Sequence, residues 1–205
     1  MPQRLSIIAG VIAVILASLL PAEAASQDVT TPFMAKTGTT TRPLGYQDFC
    51  KRYPKECREK SSRDVRIKLT SERWDELVEV NSAVNRAIRP VTDLELFGEE
   101  EYWDYPQTEG DCEDFVLLKR RILRDRGWPA GSVLITVVRQ QNGEGHAVLT
   151  VLTDRGDLVL DNLDPHVKVW SQTDYLYVKR QSEFDSGRWV ALDDARIPAV
   201  GSLSR

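Results

Sequence analysis

The sequence predicts one α+β domain, and three observations predict it. Two stretches with apolar residues at helical spacing come first, at 70–89 and from 111 to about 126. From Val133 onward the period becomes strand-like, with β-branched runs separated by short turn signals. The chain is long enough for one good core and carries no internal repeat. Helices followed by an antiparallel meander are the order expected when helices pack on an antiparallel sheet.

Taken in order, residues 1–24 differ from the rest. Arg4 precedes the apolar run Leu5 to Leu20, and Ala22-Glu23-Ala24 is a small-x-small cleavage pattern. This reads as a secretory signal peptide cut after Ala24, and the run is short for a membrane span. Residues 25–45 are rich in Thr, Ala, Gly and Pro and read as a mobile N-terminal segment. The folded domain is expected over 46–192. It opens on Phe49-Cys50 and a short loop to Cys57. Thr70 or Ser71 can cap a helix that runs to about Arg89, just before Pro90. Its apolar positions include Trp74, Leu77, Val78, Val84 and Ile88. Asn81 lies on the same stripe with Asn85 beside it; both read first as core fasteners, with approach to the site as the alternative. Residues 90–110 form an irregular acidic and aromatic segment, whose Tyr102, Trp103 and Tyr105 are placed to wall a cleft.

Gly110-Asp111-Cys112-Glu113-Asp114 then opens the second helix. Phe115, Val116, Leu118, Ile122 and Leu123 continue it, and Gly127 and Pro129 end it. Val133 to Val138 is the first strand, and Asn142-Gly143 a hairpin turn signal. His146 to Thr153 is the second strand, Asp154 to Asp157 a turn, and Leu158 to Asp161 the third. Tyr175 to Lys179 and Trp189 to Leu192 are further strands. Residues 193–205 read as a loose tail.

The net charge of −4 is mild and there is no basic run, so nucleic acid is not an expected partner. An exported chain meets an oxidising compartment, where cysteines pair. Of three cysteines, Cys50 and Cys57 lie close together and are the natural pair, which leaves Cys112 free.

Cys112 lies three and four positions before Phe115 and Val116, so it shares their inward face. A thiol in the first turn of a helix meets the positive end of the dipole and free N–H groups. Both are expected to lower its pKa from about 8.5 and make it a nucleophile. The bland alternative is a small buried cysteine beside acids that complement a helix start. A thiolate nucleophile wants a base, and the base wants a group to orient it. Of two histidines, His146 begins a strand behind Gly143-Glu144-Gly145, whereas His166 sits in a loop context typical of a solvated side chain. Asp161 closes an apolar strand with a carboxylate. Cys112, His146 and Asp161 thus stand in the order helix, strand, next strand. If Arg155-Gly156 is the turn, Asp161 lies across from Thr150. His146 then shares its face but stands about 13 Å away along the strand. A bulge or another register is needed to join them.

These residues sit in a longer pattern. It comprises Val80-Asn81 and Val84-Asn85, Tyr102-Trp103, Gly110-Asp111-Cys112-Glu113-Asp114, Lys119-Arg120, and Gly127-Trp128-Pro129. Gly145-His146-Ala147, Thr153 to Asp157, Leu160-Asp161-Asn162 and Lys179-Arg180-Gln181-Ser182 follow. In this order they resemble the bacterial transglutaminase-like cysteine proteinase family. The resemblance covers nearly the whole mature chain. It implies a core like that of papain and the transglutaminases, with a catalytic Cys at a helix N-terminus packed on an antiparallel sheet. It also implies Cys112 as nucleophile, His146 as base and acid, and Asp161 as orienter. The family's best-understood members are periplasmic, calcium-dependent proteases. They cut large surface adhesins, release biofilm cells, and are sequestered by an inner-membrane receptor. The segment between Trp103 and Gly110 is shorter here than in those members.

Calcium also has a footing in the residues themselves. Asp111, Glu113 and Asp114 offer hard oxygen ligands within four positions, which suit Ca²⁺ better than zinc. Acids complementing a helix dipole are the simpler alternative. Three functions compete. The first is an exported thiol protease acting on an envelope protein. The second is acyl transfer to an amine by the same triad. The third is a non-catalytic envelope binding module, which predicts a missing triad member; none is missing.

Overall fold

The computed structural model of this protein describes residues 31–61 and 66–194. The expected signal peptide and nearly all of the expected C-terminal tail lie outside the described residues. The domain is α+β, as the order of periodicities implies. The first strand, β1 (Ala35–Thr40), is followed by helix α1 (Leu44–Arg52) and the long helix α2 (Ser71–Ala87). Then come β2 (Arg89–Pro90), α3 (Asp93–Phe97), β3 (Glu109–Gly110) and α4 (Cys112–Asp125). The remaining strands are β4 (Val133–Arg139), β5 (Gly145–Thr153), β6 (Gly156–Leu160), β7 (Lys168–Val169), β8 (Leu176–Ser182) and β9 (Asp185–Asp193).

Seven strands form one antiparallel sheet in the order β1-β9-β8-β4-β5-β6-β7, and β2 and β3 make a small parallel pair. β5 is buried along nearly its whole length because both faces of the sheet are covered. Ala147, Leu149 and Val151 join the core beneath α2 and α4, while Val148 packs with Val138, Val159, Trp170 and Tyr177 on the other face. That is why this strand reads as a continuous apolar run rather than an alternation.

α2 starts where Thr70 caps it, its hydroxyl accepting from the Arg73 N–H. Leu77, Asn81, Val84 and Ile88 are buried as expected and Val80 joins them, whereas Trp74 and Val78 remain partly exposed. α4 ends as expected: Gly127 takes φ +88°, which an L side chain rarely adopts. Cys50 and Cys57 are disulfide-bonded and Cys112 is free. The chain just past the disulfide is fastened to α4 by buried Arg120, which donates to Glu56 at 3.2 Å, Glu59 at 2.8 Å and the Val133 carbonyl at 3.1 Å.

Two expectations are corrected. Part of the segment expected to be mobile, 25–45, is β1, an edge strand paired with β9. Its side chains are mostly exposed, so backbone hydrogen bonding to a free sheet edge holds it, and no apolar alternation announces it. The irregular segment 90–110 contains α3, capped by Thr92 accepting from the Glu95 N–H. Trp103 does not line an open cleft. It is buried against Tyr46, within a cluster that also holds Phe49, Tyr53 and Tyr105.

Candidate active site

α4 packs across β4 and β5, so its first turn lies against the start of β5. This brings Cys112 beside the residue after His146: the Ala147 N–H points at Sγ. Residue 112 is partly exposed, while its sulfur lies deep among packed atoms. Among the described residues Cys112 makes no hydrogen bond to His146. Its Sγ is instead 3.1 Å from Oε2 of Glu113. The thiol pKa is raised well above its ordinary value, by burial first and then by the Glu113 and Asp111 carboxyls. The expected lowering by the helix dipole is therefore overturned. A dipole worth about half a charge is outweighed by desolvation and two acids in the same turn.

His146 and Asp161 do meet. His146 Nε2 is 2.9 Å from Asp161 Oδ1, and both residues are buried. The register resolves the distance problem. Thr153 pairs with Gly156, so the turn is Asp154-Arg155, and Leu149 faces Leu160 without a bulge. Asp161 follows Leu160 and so comes opposite Val148, two residues from His146 on the same face. The expected turn at Arg155-Gly156 is thus displaced by one residue.

The Asp161 carboxyl is surrounded by donors. Oδ1 also accepts the Leu163 N–H at 3.0 Å, and Oδ2 accepts the Tyr175 hydroxyl at 2.5 Å. Of the two roles open to Asn85, the approach to the site is the one seen: it donates to the Asp161 carbonyl at 2.7 Å, and Asn81 ties down the carbonyls of Asp164 and Pro165. Burial alone would raise the Asp161 pKa. The His146 hydrogen bond and charge, the Tyr175 hydroxyl and the Leu163 N–H outweigh it and hold the carboxyl below its ordinary range. An ionised Asp161 makes Nε2 the protonated nitrogen of a neutral His146, which leaves Nδ1 as the acceptor. His166 lies away from this group, mostly exposed and bonded to Asp164.

The acids around Cys112 divide into two groups that share Asp111. Asp93, Asp111 and Asp114 place carboxylate oxygens within 4.8 Å of one another, and so do Asp111, Cys112 and Glu113 for their ligand atoms. The expected trio of Asp111, Glu113 and Asp114 is therefore split: Glu113 bonds the thiol and meets Asp111, while Asp93 of α3 joins Asp111 and Asp114. Asp93 Oδ1 and Asp111 Oδ1 are buried with no hydrogen-bond partner among the described residues. Asp111 occupies the N-cap position of α4, yet its side chain makes no capping bond. Burial and the neighbouring carboxylates raise Asp93 to about 6 and Asp114 to about 8, and burial also raises Asp111. Gly110 is needed here: a Cβ would stand 2.5 Å from Oδ2 and 2.8 Å from Cβ of Asp114. Oxygen-only donors, crowded and partly orphaned, fit a hard divalent cation. Asp93 escapes the sequence reading; the only signal near it is Thr92-Asp93-Leu94-Glu95, a capping-box pattern that marks the helix start but not the ligand role. Tyr175 gave no signal beyond its place in a strand.

The sequence profile described as bacterial transglutaminase-like cysteine proteinase matches residues 36–197. The chain belongs to that family. It is a cysteine peptidase. The matched span contains Cys112, His146, Asp161 and all four acids. No curated protein matches the chain. Among solved structures, calcium-bound LapG of Legionella pneumophila is 28% identical, with a TM-score of 0.49, over 64% of this chain and 74% of that one. The EGTA-treated form of the same protein is also 28% identical at TM-score 0.49, over 60% and 72%. No helix among the described residues is long and apolar enough to cross a membrane.

Proposed function

We propose that this cysteine peptidase is exported to the periplasm and cleaves an envelope or surface protein, a large adhesin being the substrate the family resemblance implies. Cys112 is the nucleophile, His146 the base and acid, and Asp161 the orienter. The observation that carries the reading is the buried His146–Asp161 pair at 2.9 Å, on the strand whose first residues meet the turn bearing the free thiol. The disulfide and the leader-like residues 1–24 support export. The resemblance adds an inner-membrane receptor that sequesters the enzyme.

In this mechanism Nδ1 of His146 takes the thiol proton and Sγ attacks the peptide carbonyl carbon. Nδ1 returns the proton to the leaving amine as the C–N bond breaks, leaving a thioester on Cys112. Water then attacks the thioester carbonyl, giving its proton to Nδ1. The C–S bond breaks, the acid is released and Cys112 recovers its proton. Asp161 holds the imidazole in one tautomer and stabilises the imidazolium. Calcium would be held by Asp93, Asp111 and Asp114, where it would supply positive charge that relieves their repulsion and favours anionic groups nearby.

The test is incubation with a purified N-terminal adhesin fragment, in Ca²⁺ and in excess chelator, for wild type and Cys112→Ala. Cleavage by wild type alone, lost in chelator, is expected. Cleavage by Cys112→Ala would refute the nucleophile, and undiminished cleavage in chelator would refute calcium dependence. Amine incorporation without cleavage would favour acyl transfer.

A further inference from the structure

Asp161 has two carboxylate oxygens and a different partner on each. His146 takes Oδ1, and the Tyr175 hydroxyl donates to Oδ2 at 2.5 Å. The Tyr175 ring also lies 5.3 Å from the His146 ring, tilted by 48°. One half-buried side chain therefore touches both members of the pair, from the strand-side segment opposite α4. Behind it a cavity of about 180 Å³ reaches Asp161, Leu163, His166, Lys168 and Tyr175, so water can approach this face of the carboxylate.

We propose that Tyr175 is a positioning residue of the active site. Its hydroxyl fixes the rotation of the Asp161 carboxylate so that Oδ1 faces Nε2, and its ring packs against the imidazole. Without the hydroxyl, Oδ2 is an anionic oxygen lacking its donor. The carboxylate then turns toward water from the cavity and Oδ1 leaves its line with Nε2. A carboxylate that merely needed desolvated surroundings would be served by Phe at this position. A hydroxyl at 2.5 Å serves orientation.

The inference rests on the His146–Asp161 reading above, and its test separates the two. The chain has two histidines, so His166→Gln assigns the His146 imidazole signals by NMR. In full-length protein the solvent-exchange rate of the Nε2–H is measured, together with the rate of Cys112 alkylation by iodoacetamide. Losing one charge-assisted hydrogen bond should speed exchange about fivefold to tenfold in Tyr175→Phe, with an unchanged melting temperature. Alkylation should slow in Tyr175→Phe and in Asp161→Ala, and the double variant should match Asp161→Ala, because Tyr175 acts only through that carboxylate. Tyr175→Ala should exceed Tyr175→Phe by the loss of ring cover. Wild-type exchange in Tyr175→Phe, or an additive loss in the double variant, would overturn the positioning role. Unchanged exchange and alkylation in Asp161→Ala would instead overturn the pair on which it rests.

Discussion

The carboxyl of Asp161 and the acids around Cys112 are built on opposite principles. Asp161 is ringed by donors: His146, the Leu163 N–H and Tyr175. Its pKa is held down in spite of burial. Asp93, Asp111 and Asp114 each accept one backbone N–H, from Tyr102, Asp93 and Asp104, but they crowd one another, two of their oxygens have no partner among the described residues, and their pKa values are pushed up. Burial is common to both, so burial does not decide what a carboxyl does. A carboxylate supplied with donors is ready to orient a cationic partner. Carboxylates crowded by other carboxylates, with one N–H each and only Arg52 acting on Asp93, are ready to take up a cation.

The largest expected effects test the donor-rich side. Cys112→Ala should remove activity altogether, and His146→Ala should cost roughly 10²–10⁴-fold, the worth of general acid–base catalysis. His166→Ala should leave hydrolysis unchanged, because that side chain is solvated and bonded only to Asp164. Asp161→Ala should lose most activity, and Asp161→Asn should keep more, since an amide oxygen can still accept the Nε2–H. Steady-state cleavage of an adhesin fragment by these variants measures this. An inactive His166→Ala beside an active His146→Ala would break the comparison at its root.

The acid-rich side should answer to calcium. At a hundredfold excess over Kd, a ligand that binds only the folded state adds about 2.7 kcal/mol, or roughly 5–10 °C for a domain of this size. Asp93→Ala should remove most of that shift, while Glu113→Gln should retain more of it, because Glu113 bonds the thiol and meets the trio at Asp111 only. Melting curves in chelator and in Ca²⁺ decide between them, and equal shifts in all three proteins would place the ion elsewhere.

A pH series on the chelated protein sharpens the same point. Asp93 titrates near 6 and Asp114 near 8 in the fold, against an ordinary 3.8. The folded state therefore binds more protons than the unfolded state between these values. The stability this supplies is complete below about pH 4 and is lost as pH rises through 6 and 8. The melting temperature in chelator should fall from pH 5 to pH 8, and calcium should flatten the fall. A chelated protein equally stable at both would mean that the acids are better solvated than their burial implies.

Much of this architecture is legible in the amino-acid sequence. Periodicity locates α2, α4 and the strands from Val133, because those elements bury one stripe or a whole β-branched run. Cys112, His146 and Asp161 are legible as residue types at element ends. Their meeting is not, since a two-residue register displacement is invisible in a turn where Asp154-Arg155 and Arg155-Gly156 read alike. β1 is hidden because backbone pairing rather than side-chain burial makes it. The role of Asp93 is hidden because its partners lie 18 and 21 residues away and come together only through the β2–β3 pairing. The sign of the thiol's pKa escapes the sequence for a related reason. The dipole belongs to the local sequence, whereas the desolvation that defeats it belongs to the packing of α4 on β5.

The smallest expected effect concerns a cation buried near the donor-rich side. Lys119 is fully buried on the inner face of α4, its Nζ without a hydrogen-bond acceptor among the described residues and 5.9 Å from the centre of the Phe115 ring. Burial pulls its pKa down to about 7, and the charge on Asp161 opposes that fall. In the unfolded chain a lysine keeps its proton to about 10.4. Between these values the unfolded state binds the extra proton, so stability rises with pH, and below 7 the fold carries an unpaired buried charge. Lys119→Met fills a similar volume without that charge. It should raise stability by about 1 kcal/mol at pH 6, roughly 2–4 °C, and by less at pH 9.5. The same substitution removes positive charge from the surroundings of Asp161, so the Asp161 carboxyl should titrate higher and hydrolysis should slow a few-fold at acidic pH. Melting temperature and the pH–rate profile of Lys119→Met test both halves together. A variant that gains stability and keeps its wild-type profile would show that the three donors alone hold Asp161 ionised. A variant that loses stability at pH 6 would show that the ammonium is paired in solution and belongs to the site.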